Sequence, residues 1–224
     1  MNKSKDNSNE KLVIQEKEWR ENWDSIKIPH LNKMLFEYFI QEGMIDMAKT
    51  LAEELEYNLE ISPNMQARYN IRSSLEKGNV EHAIALLNSL NTEILDQNIK
   101  LYYFLMEHKA FELIDAAHKE KEDSRRMFEI LGFIQKEISE IVSTHPELVE
   151  HLEDMLVFLV FSSGPDIYTR RRWIASRVNN AINEFYGDST NEYKELVLMV
   201  MQGEERLKTN YAFPEFKSYY RRWQ

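Results

Sequence analysis

Side chains able to do chemistry are few in this sequence and poorly spaced for it. The six histidines are His30, His82, His108, His118, His145 and His151, and none forms an H-E-x-x-H pair or another metal-ligand spacing. Glu147 and His151 lie one helical turn apart, the ordinary spacing of a solvated surface contact. No serine stands in a G-x-S-x-G elbow, and no glycine-rich loop is present to cradle phosphates. Carboxylates are scattered along polar stretches such as Glu53-Glu54 and Glu120 to Asp123. The absence of cysteine removes thiolate nucleophiles, disulfides and cysteine-held metals. These observations predict no catalytic residue, no metal and no cofactor.

Basic residues offer a second kind of chemistry. Arg170-Arg171-Arg172-Trp173 and Arg221-Arg222-Trp223 interleave guanidinium groups with aromatic rings, a pattern that could stack bases and pair phosphates. The same runs could instead pair with acidic faces of this chain or of a partner. A net charge of −10 and a pI of about 5.2 favour the second use. A nucleic-acid-binding helical protein is therefore the alternative rather than the leading expectation. Arg68 and Arg72, one turn apart beside Ile71 and Leu75, are either a surface column or a buried anchor fixing one helix to its neighbours.

The elements that would position these groups follow from periodicity. Only 6 glycines and 5 prolines occur in 224 residues, too few for a turn-rich β protein. Apolar residues recur at spacings of three and four, which predicts an all-α chain of about ten helices with no strand. Residues 1–15 read as a mobile polar tail without a secretory h-region, and Trp19, Trp23 and Ile26 as a short helix. Pro29 opens a helix carrying Leu31, Met34, Leu35, Tyr38 and Phe39. Gly43 ends it, and Ala48, Leu51, Ala52 and Leu55 resume the period at once, as in a tight hairpin. Ser62-Pro63 opens the next helix, stopped by Gly78-Asn79 after Ile71 and Leu75. Val80 to Leu87 make another, Ile94 to Leu105 a further one, and Phe111 to Ile114 a shorter one.

A long helix is expected over Ser124–Ser143, with Met127, Ile130, Leu131, Ile134, Ile138 and Ile141 inward. Capping boxes are expected at Thr144/Glu147 and Ser189/Glu192. The first precedes a helix with Leu148, Leu152, Met155, Leu156 and Leu159. Gly164-Pro165 breaks the pattern before Ile174, Val178, Ala181, Ile182 and Phe185, and Gly187 closes that helix. The second box precedes Leu196, Met199, Val200 and Leu207. The longest apolar stretch, Met155 to Phe161, is too short to span a bilayer, so the expected location is the cytoplasm or nucleus.

The hairpin from Pro29 to Tyr57 carries more aromatic surface than one small core can take: Phe36, Tyr38 and Phe39 point in different directions. Some should meet another element or another chain, where aromatic anchors carry much of the binding energy. Leu31, Leu35, Tyr38, Phe39, Gly43, Ala48 and Glu54 are similar to the LisH dimerisation pattern. Arg68, Ile71, Arg72, Leu75, Gly78, Ala83 and Ile84 resemble the CTLH segment, continued by Leu86 to Leu90, Glu93 to Asp96, Leu101-Tyr102 and Phe111 to Ile114. Leu131, Phe133, Gln135, Glu137-Ile138 and then Leu152-Glu153, Leu156, Leu159 and Phe161 resemble the CRA region.

In order and in register, over about Glu18 to Phe216, these regions resemble the LisH–CTLH–CRA family, and within it the eighth glucose-induced-degradation subunits. The resemblance implies a hairpin at 29–58, CTLH at 62–122 and CRA at 123–217, with a short helix at 16–28 and tails at 1–15 and 218–224. It implies a non-catalytic scaffold of a RING-type ubiquitin ligase. The implied partners are sister subunits containing SPRY and RING domains, an armadillo-repeat subunit, and a homo- or heterodimer partner through LisH and CRA. It marks Leu31, Leu35, Tyr38, Phe39, Gly43, Arg68, Arg72 and Trp173 as protein-binding positions, with no membrane partner. Gly132 and the tail Tyr219–Gln224 depart from the family pattern.

Overall fold

The structure, a computed structural model, describes residues 12–13, 21, 29–120, 124–161, 166–187 and 191–212. Its helices are α1 (Pro29–Gln41), α2 (Ile45–Leu55), α3 (Pro63–Glu76), α4 (Val80–Leu90), α5 (Glu93–Asp96) and α6 (Ile99–Glu120). There follow α7 (Ser124–Glu137), α8 (Ser139–Thr144), a 3₁₀ turn (Pro146–Leu148), α9 (Val149–Phe161), α10 (Ile167–Phe185) and α11 (Glu192–Leu207). The all-α expectation holds. The expectation of no strand is corrected by a two-residue parallel ladder, β1 (Leu12–Val13) on β2 (Tyr211–Ala212). Two residues a side are too few to leave an alternation in the sequence. The remainder of the 1–15 tail, the Trp19–Trp23–Ile26 helix and the 218–224 tail lie outside the described residues.

The chain divides into two compact units, residues 39–189 and residues 1–38 with 190–224. In the larger, the 22-residue α6 is the axis. It buries Leu101, Tyr103, Phe104, Leu105, Met106, Ala110, Phe111, Ile114 and Ala117, a set that runs round most of the helix, as a central helix requires. The periodicity had suggested a break between residues 105 and 111. There is none, because buried polar residues Glu107 and His108 interrupt the apolar pattern without interrupting the helix. The real break comes earlier, where Asn98 caps α6 by accepting from the Leu101 amide.

α10 brings Ile174, Ala175, Val178 and Ile182 onto α3 and α6, so Ile71 and Leu75 share one core with residues a hundred positions later. α4 covers α3, while α7 and α9 pack on α6. Helix ends follow local chemistry. Gly43 (φ +69°) and Gly78 (φ +81°) close Schellman motifs, the Met44 amide donating to Phe39 O and the Asn79 amide to Ser74 O, both at 2.8 Å. Ser62 caps α3 by accepting from the Met65 amide at 3.2 Å.

Several local expectations are corrected. The 124–143 helix is two helices, α7 and α8, parted at Ile138; Ile130, Ile134, Ile138 and Ile141 face inward, whereas Leu131 is exposed. Thr144 does not cap α9. It ends α8, and its hydroxyl donates back to Ile141 O at 2.9 Å, so a 3₁₀ turn intervenes before α9. The cap of α11 is Asn191, which accepts from the Lys194 amide at 3.0 Å, and Ser189 lies outside the described residues.

The smaller unit contains the first ten residues of α1 together with α11, where the rings of Tyr38 and Tyr193 meet at 5.0 Å. Leu196, Met199, Val200 and Leu207 are all exposed on α11, and Leu198 with them. Their helical spacing therefore marks an apolar face open to solvent rather than a core stripe.

Candidate functional site

Two arginines on α3 settle what α3 is built to hold. Arg68 and Arg72 are each only 6% exposed, so the buried-anchor alternative is the one realised. Both reach the turn that follows α1. Arg68 Nη1 donates to Gln41 O at 2.7 Å and to Asn183 Oδ1 at 2.9 Å, with Asn179 Oδ1 at 3.5 Å. Arg72 Nη1 donates to Glu42 O at 2.8 Å, and its Nε donates to Glu76 Oε1 at 2.9 Å. From the other side, α10 supplies Asn179 and Asn183, whose Nδ2 groups donate to Gln41 O at 2.7 and 3.0 Å.

The Glu42 side chain is buried as well. Its carboxylate lies 3.6 Å from Arg72 Nη1 and accepts from Ser176 Oγ at 3.1 Å. A helix C-terminus leaves carbonyls without intrahelical donors, and here guanidinium and amide groups satisfy them. Gly43 completes the fit. A Cβ there would sit 3.3 Å from Asn179 Oδ1 and 3.6 Å from the Arg68 backbone, and its φ is one that other residues rarely take. Tyr69 extends the hold to α2, its hydroxyl donating to Asp46 Oδ2 at 2.7 Å and lifted above its usual pKa by that carboxylate.

The other charged cluster lies between α6 and α10. Arg170 pairs with the buried Glu107 and stacks on Phe111, its guanidinium 3.7 Å from the ring centroid. Arg171 grips Glu112 through two bonds of 2.6 Å, and the pair fills the space beside Gly78, where a Cβ would meet Arg171 Nη2 at 2.7 Å. Burial raises the Glu107 pKa, against the pull of Arg170 and of His151, whose Nδ1 is 3.6 Å away. The paired geometry argues that Glu107 is ionised beside its arginine. His108 is fully enclosed; burial, then Arg170 and Arg171, hold its pKa down to about 3. Its ring is therefore neutral, and the 3.3 Å approach of its Nε2 to Glu112 is not an ion pair at neutral pH. Glu147 bonds Lys100 at 2.7 Å rather than sharing a partner with His151.

The first basic patch is thus largely spent on this chain's own carboxylates, with Arg172 alone of the three exposed. The Arg221-Arg222 patch lies outside the described residues. Among the remaining expected site positions, Leu31, Leu35, Tyr38 and Phe39 are half-buried along α1. Trp173 is 41% exposed and set edge-on to Phe104 at 5.4 Å, away from the clamp. Asn179, Asn183 and Ser176 were not expected. The signal for two of them was present: amide side chains one turn apart, embedded in the Val178–Ile182 apolar stripe, need a polar partner inside the fold. Among the described residues no group of three or more histidines and carboxylates is gathered as a metal ligand set, and no helix is long and apolar enough to cross a membrane.

The family described as the CTLH/CRA C-terminal to LisH motif domain matches residues 64–211. That span begins just before Arg68 and runs past Asn179 and Asn183. The chain is 31% identical over 193 residues to the glucose-induced degradation protein 8 homolog of Dictyostelium discoideum, covering 81% of each chain. It is 28% identical to GID complex subunit 8 of Schizosaccharomyces pombe, covering 81% of this chain and 80% of that one. It is likewise 28% identical to Protein GID8 homolog of Arabidopsis thaliana, covering 79% and 74%. A family match across most of the chain, with relatives aligned over about four-fifths of it, places it plainly: the chain belongs to the CTLH/CRA family and, within it, to the glucose-induced degradation protein 8 homologues.

Proposed function

We propose that this protein is a non-catalytic scaffold subunit of a CTLH/GID-type RING ubiquitin ligase, bridging sister subunits for ubiquitin-dependent degradation in the cytoplasm and nucleus. The observation that carries the reading is the clamp on Gln41–Gly43. Side chains from α3 and α10, over a hundred residues apart, fix the turn between α1 and α2, so that turn is held rigidly rather than left as a tether. A rigid seat suits a protein whose business is holding other chains in register. The open apolar face of α11, with Met199 68% exposed, supports pairing with another chain, since contiguous exposed apolar surface marks an interaction site. On this reading α1 and α11 provide the dimer contact to a SPRY-containing sister, and other surfaces seat the RING pair and an armadillo-repeat subunit.

Affinity purification of the full chain with mass spectrometry tests the proposal. RING and armadillo-repeat subunits should co-purify, and Leu35→Asp with Phe39→Asp should weaken self- or cross-association by placing charge in an apolar contact. A strict monomer by light scattering that captures no RING subunit would sink it.

A further inference from the structure

One face of α9 is left unused by the fold. Glu150, Glu153, Asp154, Val157, Val160 and Phe161 follow the three-and-four spacing of a single helix stripe, within about 120° of one another at 100° per residue. All six are exposed, Val157 by 49%, Val160 by 69% and Phe161 by 71%. The opposite face carries Met155, Phe158 and Leu159 into the core. The exposed stripe is divided lengthwise. Its N-terminal half is acidic, and none of Glu150, Glu153 and Asp154 forms an ion pair among the described residues. Its C-terminal half is apolar.

We propose that this stripe is a docking seam for an amphipathic helix of another subunit, with an apolar half meeting Val157, Val160 and Phe161 and a lysine- or arginine-bearing half meeting Glu150, Glu153 and Asp154. It rests on the complex-subunit reading above. The occupant is set by charge complementarity. An anionic lipid surface or a nucleic acid is repelled by three exposed carboxylates that form no ion pair among the described residues, Asp154 being only partly offset by the field of Arg170. A second copy related by a two-fold axis can bring the apolar ends together only by overlapping residues 157–161, little more than one turn. The whole seam is about 16 Å long, three turns, which is the length over which helix-in-groove recognition reads anchors at i, i+3, i+4 and i+7.

The test is photo-crosslinking of the full chain in its assembled complex, with p-benzoylphenylalanine replacing Val160. The expected product joins α9 to a segment of another protein that has apolar residues at helical spacing followed or preceded by Lys or Arg. Glu153→Lys should cut the yield about fivefold, the equivalent of about 1 kcal/mol, while leaving the urea midpoint of the isolated chain unchanged because that side chain is exposed and forms no ion pair among the described residues. A cross-link to a second copy of this chain, to a segment without basic residues, or to nothing overturns the proposal. Failure of any RING subunit to co-purify would count against the scaffold reading instead, and a cross-link to a basic amphipathic helix of some other protein would still uphold the seam.

Discussion

Removing the Arg68 guanidinium should cost less than its bonds suggest, and the reason lies in how the clamp is shared. Arg68→Met keeps an unbranched stem of similar reach and deletes the donors. Two short charge-assisted hydrogen bonds, at 2.7 and 2.9 Å, are lost along with the long one of 3.5 Å to Asn179 Oδ1, and at about 1.5–3 kcal/mol for each short bond the naive sum approaches 5 kcal/mol. Gln41 O, however, also accepts from Asn179 Nδ2 at 2.7 Å and Asn183 Nδ2 at 3.0 Å. That carbonyl therefore stays satisfied. What the substitution orphans is Asn183 Oδ1 and, with it, the weakly held Asn179 Oδ1, together worth about 1–3 kcal/mol, and the desolvation of a buried cation is no longer required. The expected loss is about 2–3 kcal/mol.

The same sharing predicts coupling. Asn183→Ala alone removes one of three donors to Gln41 O and should cost about 1–2 kcal/mol. In Arg68→Met with Asn183→Ala no acceptor on residue 183 remains to be orphaned, so the double variant should lose about 1 kcal/mol less than the sum of the singles. Urea unfolding followed by helical circular dichroism reads all four proteins of the cycle, through midpoints at constant m. An Arg68→Met loss below about 0.5 kcal/mol, or singles that add to within about 0.3 kcal/mol, would refute the shared-acceptor account.

Gly43→Ala should destabilise by about 2 kcal/mol, from left-handed backbone strain and crowding of Asn179, lowering the thermal midpoint by about 5 °C in calorimetry. Glu56 makes the opposite case: it occupies the left-handed region at φ +55° as the C-cap of α2, so Glu56→Gly should raise the unfolding free energy by about 0.5–1 kcal/mol, read as a higher urea midpoint at constant m. His108 gives a pH dependence. Its pKa is about 3 folded against 6.5 unfolded, so the unfolded chain binds the proton first; its full contribution is present above pH 6.5 and is lost as pH falls from 6.5 towards 3. Between pH 6.5 and 5 this amounts to about 1.6 kcal/mol, and His108→Gln should flatten that part of the stability profile.

How much was legible in the sequence depended on whether a residue's partner was local. Gly43, Gly78 and the Ser62 cap are self-contained instructions, readable because a left-handed turn needs glycine and an open helix start needs an oxygen acceptor. The box at Thr144 failed because more than one oxygen competes for the same hydrogen bonds, and the α11 cap came from a residue the box did not name. Thr144 turned back to Ile141, and Asn191 supplied the cap at α11. Periodicity divides α6 in two because Glu107 and His108 break an apolar pattern, and only the arrival of Arg170 from α10 explains why a carboxylate can sit in that core. Arg68 and Arg72 stayed undecided for the same reason: nothing within ten residues of them specifies Gln41, Glu42, Asn179 or Asn183.

The family match starts at residue 64, after the α1–α2 turn, yet the acceptors for its first two arginines are Gln41 O and Glu42 O. The matched region is thus chemically unfinished without the turn that precedes it. A chain shortened to residues 62–224 would keep Arg68, Arg72, Asn179 and Asn183 but leave four polar side chains, arranged for buried carbonyls, facing water. It would also uncover the apolar surface now covered by Ile45, Ala48 and Ala52. At about 25 cal/mol per Å² of apolar surface, and with the carbonyl bonds lost in addition, such a chain should unfold at a markedly lower urea concentration than the full protein. Equal midpoints for the two chains would mean that the turn is a passenger on the CTLH/CRA core rather than part of it, and the clamp would then fix the hairpin without supporting the core.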